Sequence, residues 1–161
     1  MEIRKADGVK DSDKIWEIFS AVIQTGDTYT FEPDTPREDL EKYWFADYMN
    51  TFVTVEDDIL LGTYNIKPNQ PGLGNHIANC SYMVNPRYHG KGTGKYMCEH
   101  SISFAKEDGY LGMQFNMVVS TNIVAVSLWK KFGFEIIGTT PKGFRHQQLG
   151  FVDTYIMFKQ L

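Results

Sequence analysis

The sequence predicts an α/β domain in which helices flank one mixed, largely antiparallel sheet. Three observations support this prediction. Segments with apolar residues at helical spacing are interspersed with short strand-like segments along the whole chain. Two neighbouring strand-like segments are joined by the short turn at Asp57-Asp58, as in an antiparallel pair. No repeat, low-complexity tract or long linker divides the 161 residues, so residues 1–161 are predicted to form a single domain.

The N-terminal segment is predicted to form a strand, a helix and a loop. Residues 1–6 alternate in polarity like a short strand. Residues 11–24 repeat apolar side chains at helical spacing, and we expect Asp11 or Ser12 to cap the start of this helix. Residues 25–35 are rich in Thr, Asp and aromatic side chains, and this composition predicts a loop.

The next segment is predicted to form a second helix and a pair of strands. A helix is expected at residues 36–46, because its first residue is a proline, which suits the first helical turn. Residues 51–56 and 60–66 have strand-like composition on either side of Asp57-Asp58. We therefore expect these two strands to pair antiparallel.

The C-terminal part is predicted to alternate strands with helices. A loop at residues 67–75 contains two Pro and two Gly and leads into a strand at residues 77–84, which Pro86 stops. The patterns that follow predict, in order, a helix at 92–107, a strand at 112–119, a helix from the cap Asn122 to Gly133, a strand at 134–138, a loop at 141–150 and a strand at 152–159. The resulting element order is β-α-α-β-β-β-α-β-α-β-β.

The composition argues against several classes of function. A formal net charge of −4 and a pI near 5.5 are unlike those of nucleic-acid-binding proteins, which usually have a basic surface. No run approaches the roughly 18 apolar residues of a membrane span, and the charged first segment lacks the apolar core of a signal peptide. Cys80 and Cys98 are not spaced as a metal pair and are expected to be reduced core residues. We therefore expect a cytoplasmic protein that binds no metal, nucleic acid or membrane.

The most informative feature for function is a glycine-rich turn between a predicted strand and a predicted helix. Gly90, Gly92 and Gly94 alternate with other residues in this turn. Glycine lets backbone amides approach a ligand closely, and a helix N-terminus adds unpaired N–H groups, so the turn suits a phosphate or pyrophosphate. A P-loop is excluded because Tyr96 follows Gly94-Lys95, and a Rossmann fingerprint is excluded because no third glycine stands at its required spacing.

Two runs of the sequence resemble the GNAT family of N-acetyltransferases. Residues 84–95, V-N-P-R-Y-H-G-K-G-T-G-K, resemble motif A of that family, written (Arg/Gln)-x-x-Gly-x-(Gly/Ala). Residues 122–134 resemble its motif B, Asn-x-x-Ala-x-x-Leu-Tyr-x-x-x-Gly-Phe. The resemblance covers both motifs in the expected order and spacing. It implies a GNAT-like fold and an N-acetyltransferase that uses acetyl-CoA as co-substrate.

The resemblance also implies which residues bind acetyl-CoA. The turn amides would hold the pyrophosphate, the end of the preceding strand and Asn122 would contact the pantetheine arm, and Ser127 and Trp129 would face the sulfur. The residues implied are Tyr82, Met83, Val84, His89, Gly90, Lys91, Gly92, Thr93, Gly94, Lys95, Asn122, Ser127 and Trp129. An extended arm that carries amides can bind a strand edge like an added strand.

The sequence departs from the family pattern at two positions. The Arg/Gln position of motif A falls on His89, although Arg87 fits a register two residues earlier, so either side chain could face the phosphate. The tyrosine that often protonates the leaving thiolate in this family is replaced by Trp129. An indole N–H can donate a hydrogen bond but does not release a proton near neutral pH, so a general acid is not expected there.

Further segments resemble the acceptor side of the phosphinothricin acetyltransferase branch of the family. They are residues 28–32 and 143–146, with Asp153 further on. The glutamate that serves as base in that branch maps onto Asn79, which cannot accept a proton. The acceptor is expected to contact Tyr29, Phe31, Asn79, Arg145, His146 and Asp153. The other candidates for the proton acceptor are Glu32, His76, His146 and Asp153.

The prediction is therefore an acetyl-CoA-dependent N-acetyltransferase that acts on the primary amine of a small-molecule or amino-acid-like acceptor. The residues expected at the chemistry are Asn122, Trp129, Glu32 and His76. Two alternatives remain at this stage: a catalytically silent acyl-CoA-binding module, and an acetyltransferase of protein N-termini or lysines. Family habit and the many aromatic residues also suggest a homodimer.

Overall fold

A computed structural model describes residues 1–161, which form one seven-stranded sheet with helices on both faces. The strands are β1 (Glu2–Lys5), β2 (Asn50–Glu56), β3 (Ile59–Pro68), β4 (Ile77–Val84), β5 (Gly112–Val119), β6 (Glu135–His146) and β7 (Gly150–Gln160). The helices are α1 (Ser12–Ile23), α2 (Leu40–Trp44), α3 (Thr93–Glu107) and α4 (Ile123–Lys131). Short 3₁₀ turns span Arg37–Asp39, Gly72–Gly74 and Pro86–Tyr88. No helix combines the length and apolar character needed to cross a membrane.

The strand order is β1-β2-β3-β4-β5-β7-β6, and β4–β5 is the single parallel pair. The predicted mixed, largely antiparallel sheet is therefore confirmed. Helices α1 and α2 cover one face, where Trp44 is fully buried and its indole N–H donates to Thr63 Oγ1 at 2.9 Å. Helices α3 and α4 cover the other face, where Phe134 stacks on Phe115.

The parallel pair is short, and this feature creates an opening in the sheet. Strands β4 and β5 pair only at Ile77↔Gly112 and Ala78↔Met113. Beyond these residues they separate, and β5 has an irregularity between Phe115 and Val118. The C-terminal half of β4 therefore has a strand partner on its β3 side and none on its β5 side. We call this gap the β4–β5 opening.

Three local predictions are correct only in part. The helix predicted at 36–46 consists of a 3₁₀ turn and the five-residue α2, which ends at Trp44. Asp11 is the N-cap residue of α1, as predicted, but its side chain makes no cap hydrogen bond, because its carboxylate is bound by the Arg4 guanidinium at 2.7 and 2.8 Å. The loop predicted at 141–150 is mostly strand, since β6 runs to His146 and pairs with β7 around a bulge between Thr140 and Phe144.

Candidate active site

The glycine turn leads directly from β4 into α3. After the 3₁₀ turn Pro86–Tyr88, Gly90 and Gly92 adopt φ angles of 83° and 79°, and Gly92 is the N-cap of α3. These left-handed conformations explain the glycines, because a residue with a Cβ is strained there. A Cβ at either position would meet no atom within 4 Å, so the requirement comes from the backbone and not from crowding.

The backbone N–H groups of residues 89–95 donate to no acceptor in the protein. The first hydrogen bond of α3 runs from Tyr96 N to Gly92 O at 3.0 Å, so the amides before it have no partner inside the helix. These free donors stand at the positive end of the helix dipole. The turn therefore fits an anionic ligand such as a pyrophosphate.

A cavity of about 690 Å³, here called the turn cavity, extends from these amides along β4 to α4. Most residues expected to bind the cofactor line it. They are Tyr82, Met83, Val84, His89, Gly90, Gly92, Thr93, Gly94, Lys95, Asn122 and Trp129. Arg87, the alternative to His89, does not line it.

Two residues expected to bind the cofactor lie outside the turn cavity. Lys91 is exposed, and its ammonium donates to Glu56 Oε2 at 2.9 Å. Ser127 is on the exposed face of α4. At 3.6 residues per turn, the cavity face of α4 presents Ala125 and Trp129, and Ser127 points the other way. The geometry therefore gives no support to Ser127 as a residue that faces the sulfur.

The edge of β4 in the β4–β5 opening has free backbone groups. The Asn85 N–H donates to Leu61 O at 2.8 Å, which fixes the alternation of hydrogen bonds between β4 and β3. The N–H and C=O groups of Cys80, Tyr82 and Val84 therefore point away from β3 and into the opening. Such an edge can hold an extended, amide-bearing chain as an added strand.

A small central cavity of about 130 Å³ lies at the inner end of the opening. Trp129 is 8% exposed and packs on Tyr82 and Phe115, with ring centroids 4.9 Å from each. Its indole N–H makes no hydrogen bond within the protein. The Asn122 side chain caps α4 by accepting the Ala125 N–H at 3.2 Å, as the sequence predicts. Trp129 and Asn122 line both the central and the turn cavities.

Burial keeps the ionisable groups around the central cavity neutral. It raises the pKa of the Tyr29 and Tyr82 phenols and of the Cys80 thiol. The Tyr82 hydroxyl is turned into the core, 2.7 Å from Ser101 Oγ. The Tyr29 hydroxyl instead donates to the main-chain carbonyl of Tyr82 at 2.6 Å. None of these groups is an anion that could take a proton near neutral pH.

A third cavity, here called the loop groove, has a volume of about 420 Å³. Its walls are Gly26, residues 29–33 and residues 143–147, which include most of the segments 28–32 and 143–146 whose sequence suggested an acceptor site. Glu32 and Arg145 face each other, with Arg145 Nη2 3.6 Å from Glu32 Oε1. Both side chains are about 70% exposed, so the pair is weak and solvated. Phe31 lines the groove, and Tyr29 lines all three cavities.

His146 lines the loop groove with its Nδ1 already occupied. Nδ1 accepts the backbone N–H groups of Gln148 and Leu149 at 3.1 and 3.2 Å, which places the proton of the neutral ring on Nε2. The imidazole thus shapes the β6–β7 turn. It has no free basic nitrogen for a substrate proton.

Three other residues expected near the acceptor line none of the three cavities. His76 is exposed just before β4 begins, at the opposite end of that strand from the glycine turn. The Asn79 amide donates to Gln114 O at 2.8 Å and ties β4 to β5 where they start to separate. Asp153 Oδ1 accepts the Lys142 N–H at 2.9 Å within the bulge of β6.

Several residues that line the cavities were not indicated by any sequence pattern. Asp27 and Thr25 line the turn cavity, and Cys80 and Ser81 line the central cavity. The predicted loop at residues 25–35 was rich in polar residues, but nothing in its sequence placed it beside the glycine turn. The structure has no group of three or more His, Cys, Asp or Glu side chains that could hold a metal ion.

Comparison with known proteins gives consistent matches. The model of the acetyltransferase (GNAT) family matches residues 15–134, more than half of the chain. The N-acetyltransferase aca1 of Schizosaccharomyces pombe is 31% identical over 153 residues, covering 83% of this chain and 72% of its own.

Solved structures extend the likeness to the whole fold. A GCN5-related N-acetyltransferase from Kribbella flavida is 36% identical, with a TM-score of 0.94 over 99% of this chain and 97% of its own. The structure of yncA from Salmonella typhimurium, with its cofactor acetyl-CoA, has a TM-score of 0.87 at 22% identity, over 100% of this chain and 94% of its own. At that identity the second match concerns the fold alone.

Proposed function

This chain belongs to the acetyltransferase (GNAT) family, and we propose that it acetylates the primary amine of a small-molecule or amino-acid-like acceptor. The proposal rests on one observation: the turn cavity and the loop groove both meet the small central cavity at Tyr29. Free amides and an open strand edge lie on one side of Tyr29, and a polar groove lies on the other. A module that only bound acyl-CoA would have no need of the second site.

The turn and the strand edge fit acetyl-CoA. We assign the amides of residues 89–95 to the pyrophosphate, together with the Lys95 side chain and His89. The Tyr82 N–H and the free backbone groups of Val84, with the Asn122 amide, are assigned to the pantetheine arm. Acetyl-CoA supplies an acetyl thioester to the central cavity.

The loop groove fits an acceptor of the size of an amino acid, because cavities of about 300 Å³ and larger hold small ligands. The amine must be neutral before it attacks. Glu32 is an exposed carboxylate in the groove that attracts an ammonium group and accepts its proton, directly or through water. Arg145 stands opposite to receive an acidic group of an amino-acid-like acceptor. His76 and Asn79 have no role in this assignment.

A thiol-release assay tests the proposal. Acetyl-CoA and the protein are mixed with a panel of small amines, amino acids and short peptides with free N-termini or lysines. We expect release with at least one small amine or amino acid, and a lower rate for that acceptor in Glu32→Gln. Turnover with peptides alone would assign a protein substrate instead. No turnover with any amine, while acetyl-CoA binds, would leave a silent binding module.

We also propose that residues 1–161 act as one unit and form a homodimer through β6. This strand is at the edge of the sheet and carries exposed Ile136 and Ile137, while Phe151 of β7 is 66% exposed. Exposed apolar side chains that cluster at a sheet edge are often covered by a partner. A monomer mass in light scattering at high concentration would contradict the dimer. Two buried, unpaired cysteines support a cytoplasmic location.

A further inference from the structure

A hydrogen-bond donor at the leaving sulfur stabilises the thiolate that thioester cleavage forms, and the central cavity is lined by hydroxyl, amide and indole groups that could be that donor. The Trp129 indole carries an N–H but packs among aromatic rings. The Tyr82 hydroxyl points into the core towards Ser101. The Asn122 Oδ1 caps α4, and the N–H groups of its amide are assigned to the pantetheine arm. The Tyr29 phenol is the ring hydroxyl that points into the β4–β5 opening.

Tyr29 occupies a fixed position where the three cavities meet. Its ring stacks on Phe31 with centroids 5.8 Å apart, and its hydroxyl donates to Tyr82 O at 2.6 Å. That carbonyl belongs to the strand edge assigned to the pantetheine arm. A thioester bound along this edge therefore passes the Tyr29 hydroxyl. Burial raises the pKa of the phenol, so the O–H remains a donor at all ordinary pH values.

We propose that Tyr29 is a catalytic residue that donates a hydrogen bond to the sulfur of the leaving thiolate. The proposal rests on the proposed function, since it assigns a role within acetyl transfer. Hydrogen bonds to an ionised acceptor are about twice as strong as those between neutral groups. The Tyr29 O–H therefore binds the thiolate more strongly than the thioester, and this difference lowers the barrier.

Acetyl transfer from the thioester to the amine does not require Tyr29 to act as a general acid. The neutral amine forms a bond to the acetyl carbonyl carbon, and the electron pair of the breaking C–S bond leaves on sulfur. Tyr29 keeps its proton: as the thiolate forms, the O–H turns from the Tyr82 carbonyl, to which it donates in the free protein, to the sulfur. The proton lost by the amine passes to Glu32 or water, and the thiolate takes a proton from water after the bond has broken. No oxidant, reductant or metal is required.

The test compares the wild type with Tyr29→Phe, which retains the ring and removes the hydroxyl. The first readout needs no turnover: the ionisation of bound CoA, followed by the ultraviolet absorbance of its thiolate as pH rises. We expect the variant to raise the pKa of the bound thiol by about one unit, because one charge-assisted hydrogen bond is lost. An unchanged thiol pKa in folded Tyr29→Phe would overturn the proposal, whether or not an acceptor is known.

The second readout is turnover with an acceptor found in the amine screen. We expect Tyr29→Phe to lower kcat by about ten- to a hundredfold while the calorimetric Kd of acetyl-CoA changes less than about threefold. A wild-type kcat, or a loss that lies wholly in acetyl-CoA affinity, would overturn the proposal. Tyr43→Phe is the matched control, because Tyr43 packs on the same Phe31 and lines none of the three cavities. It should behave like the wild type in both readouts.

Discussion

The ammonium group of Lys91 lies 2.9 Å from Glu56 Oε2, on the outer side of the glycine turn. The other oxygen of this carboxylate is 3.3 Å from the N-terminal ammonium of Met1. Both cations lower the pKa of Glu56, which therefore stays ionised and keeps Lys91 occupied. The positive character inside the turn cavity thus comes from backbone amides, with Lys95 as the lysine that lines the cavity.

Two lysine substitutions test whether Lys95, and not Lys91, contributes to acetyl-CoA binding. We expect Lys91→Ala to change acetyl-CoA affinity less than about threefold, because its charge is engaged outside the cavity. Lys95→Ala should weaken binding about tenfold at low salt, through the loss of one contact to phosphate. Calorimetric titration of both variants at two salt concentrations measures the difference. Equal losses in the two variants would show that Lys91 turns inward when the ligand binds.

Trp129→Phe should retain turnover within about tenfold of the wild type. The indole N–H has no partner in the protein, so the change removes some packing against Tyr82 and Phe115 and no proton donor. Trp129→Tyr should give a similar or higher rate if the phenol reaches the sulfur. Steady-state kinetics of both variants measure these rates. A loss of about a hundredfold with intact acetyl-CoA affinity would assign Trp129 a direct catalytic role.

Asp153→Ala should raise the KM for the acceptor about five- to tenfold and leave acetyl-CoA affinity unchanged. The carboxylate accepts the Lys142 N–H and so holds the bulge that precedes the Gly143–Gln147 wall of the loop groove. Lys142 has a φ of 53°, a conformation that this contact stabilises. Asp153→Asn should be close to the wild type, because an amide oxygen also accepts. If Asp153→Asn were as impaired as Asp153→Ala, the charge itself would be required.

Stability should depend on pH through Asp11. Its carboxylate is 6% exposed, and the hydrogen bond with Arg4 lowers its pKa from the ordinary value of 3.8. A lowered pKa stabilises the fold at pH values above 3.8, and this stabilisation is lost as pH falls through the lower folded value.

The variant Asp11→Asn should therefore have a free energy of unfolding about 1 kcal/mol lower than that of the wild type at neutral pH. This difference should shrink in acid. Chemical denaturation at a series of pH values measures it. Asp13→Asn is the control, because Asp13 pairs with Arg37 but is 94% exposed, and it should have no measurable effect. A cost of Asp11→Asn that persisted at low pH would contradict the role of its charge.

The sequence predicted the glycine turn well because its determinants are local. Alternating glycines with positive φ and a following helix are properties of a few consecutive residues. The cap at Asn122 was predictable for the same reason. Ser127 was placed by motif position alone, whereas the helical period turns it away from the cavity that Ala125 and Trp129 line.

The acceptor side was less predictable because it depends on contacts between distant segments. Tyr29 meets Tyr82 across 53 residues of sequence, and Lys91 meets Glu56 across 35. In β6, Pro141 and Gly143 suggested a loop, but pairing with β7 extends the strand to His146 and confines these residues to a bulge. Local composition does not reveal such pairing, which is fixed by the fold as a whole.

The central claim is that acetyl-CoA binds through the free amides of the glycine turn, and one calorimetric comparison tests it. Gly92→Asp places a carboxylate where a pyrophosphate is expected and strains a φ of 79°. Gly109→Asp imposes the same strain at a φ of 86°, also with nothing within 4 Å of its Cβ, but far from the turn cavity. We predict that the wild type and Gly109→Asp bind acetyl-CoA alike and that Gly92→Asp does not bind it. Unchanged affinity in folded Gly92→Asp, or no binding by the wild type, would contradict the account.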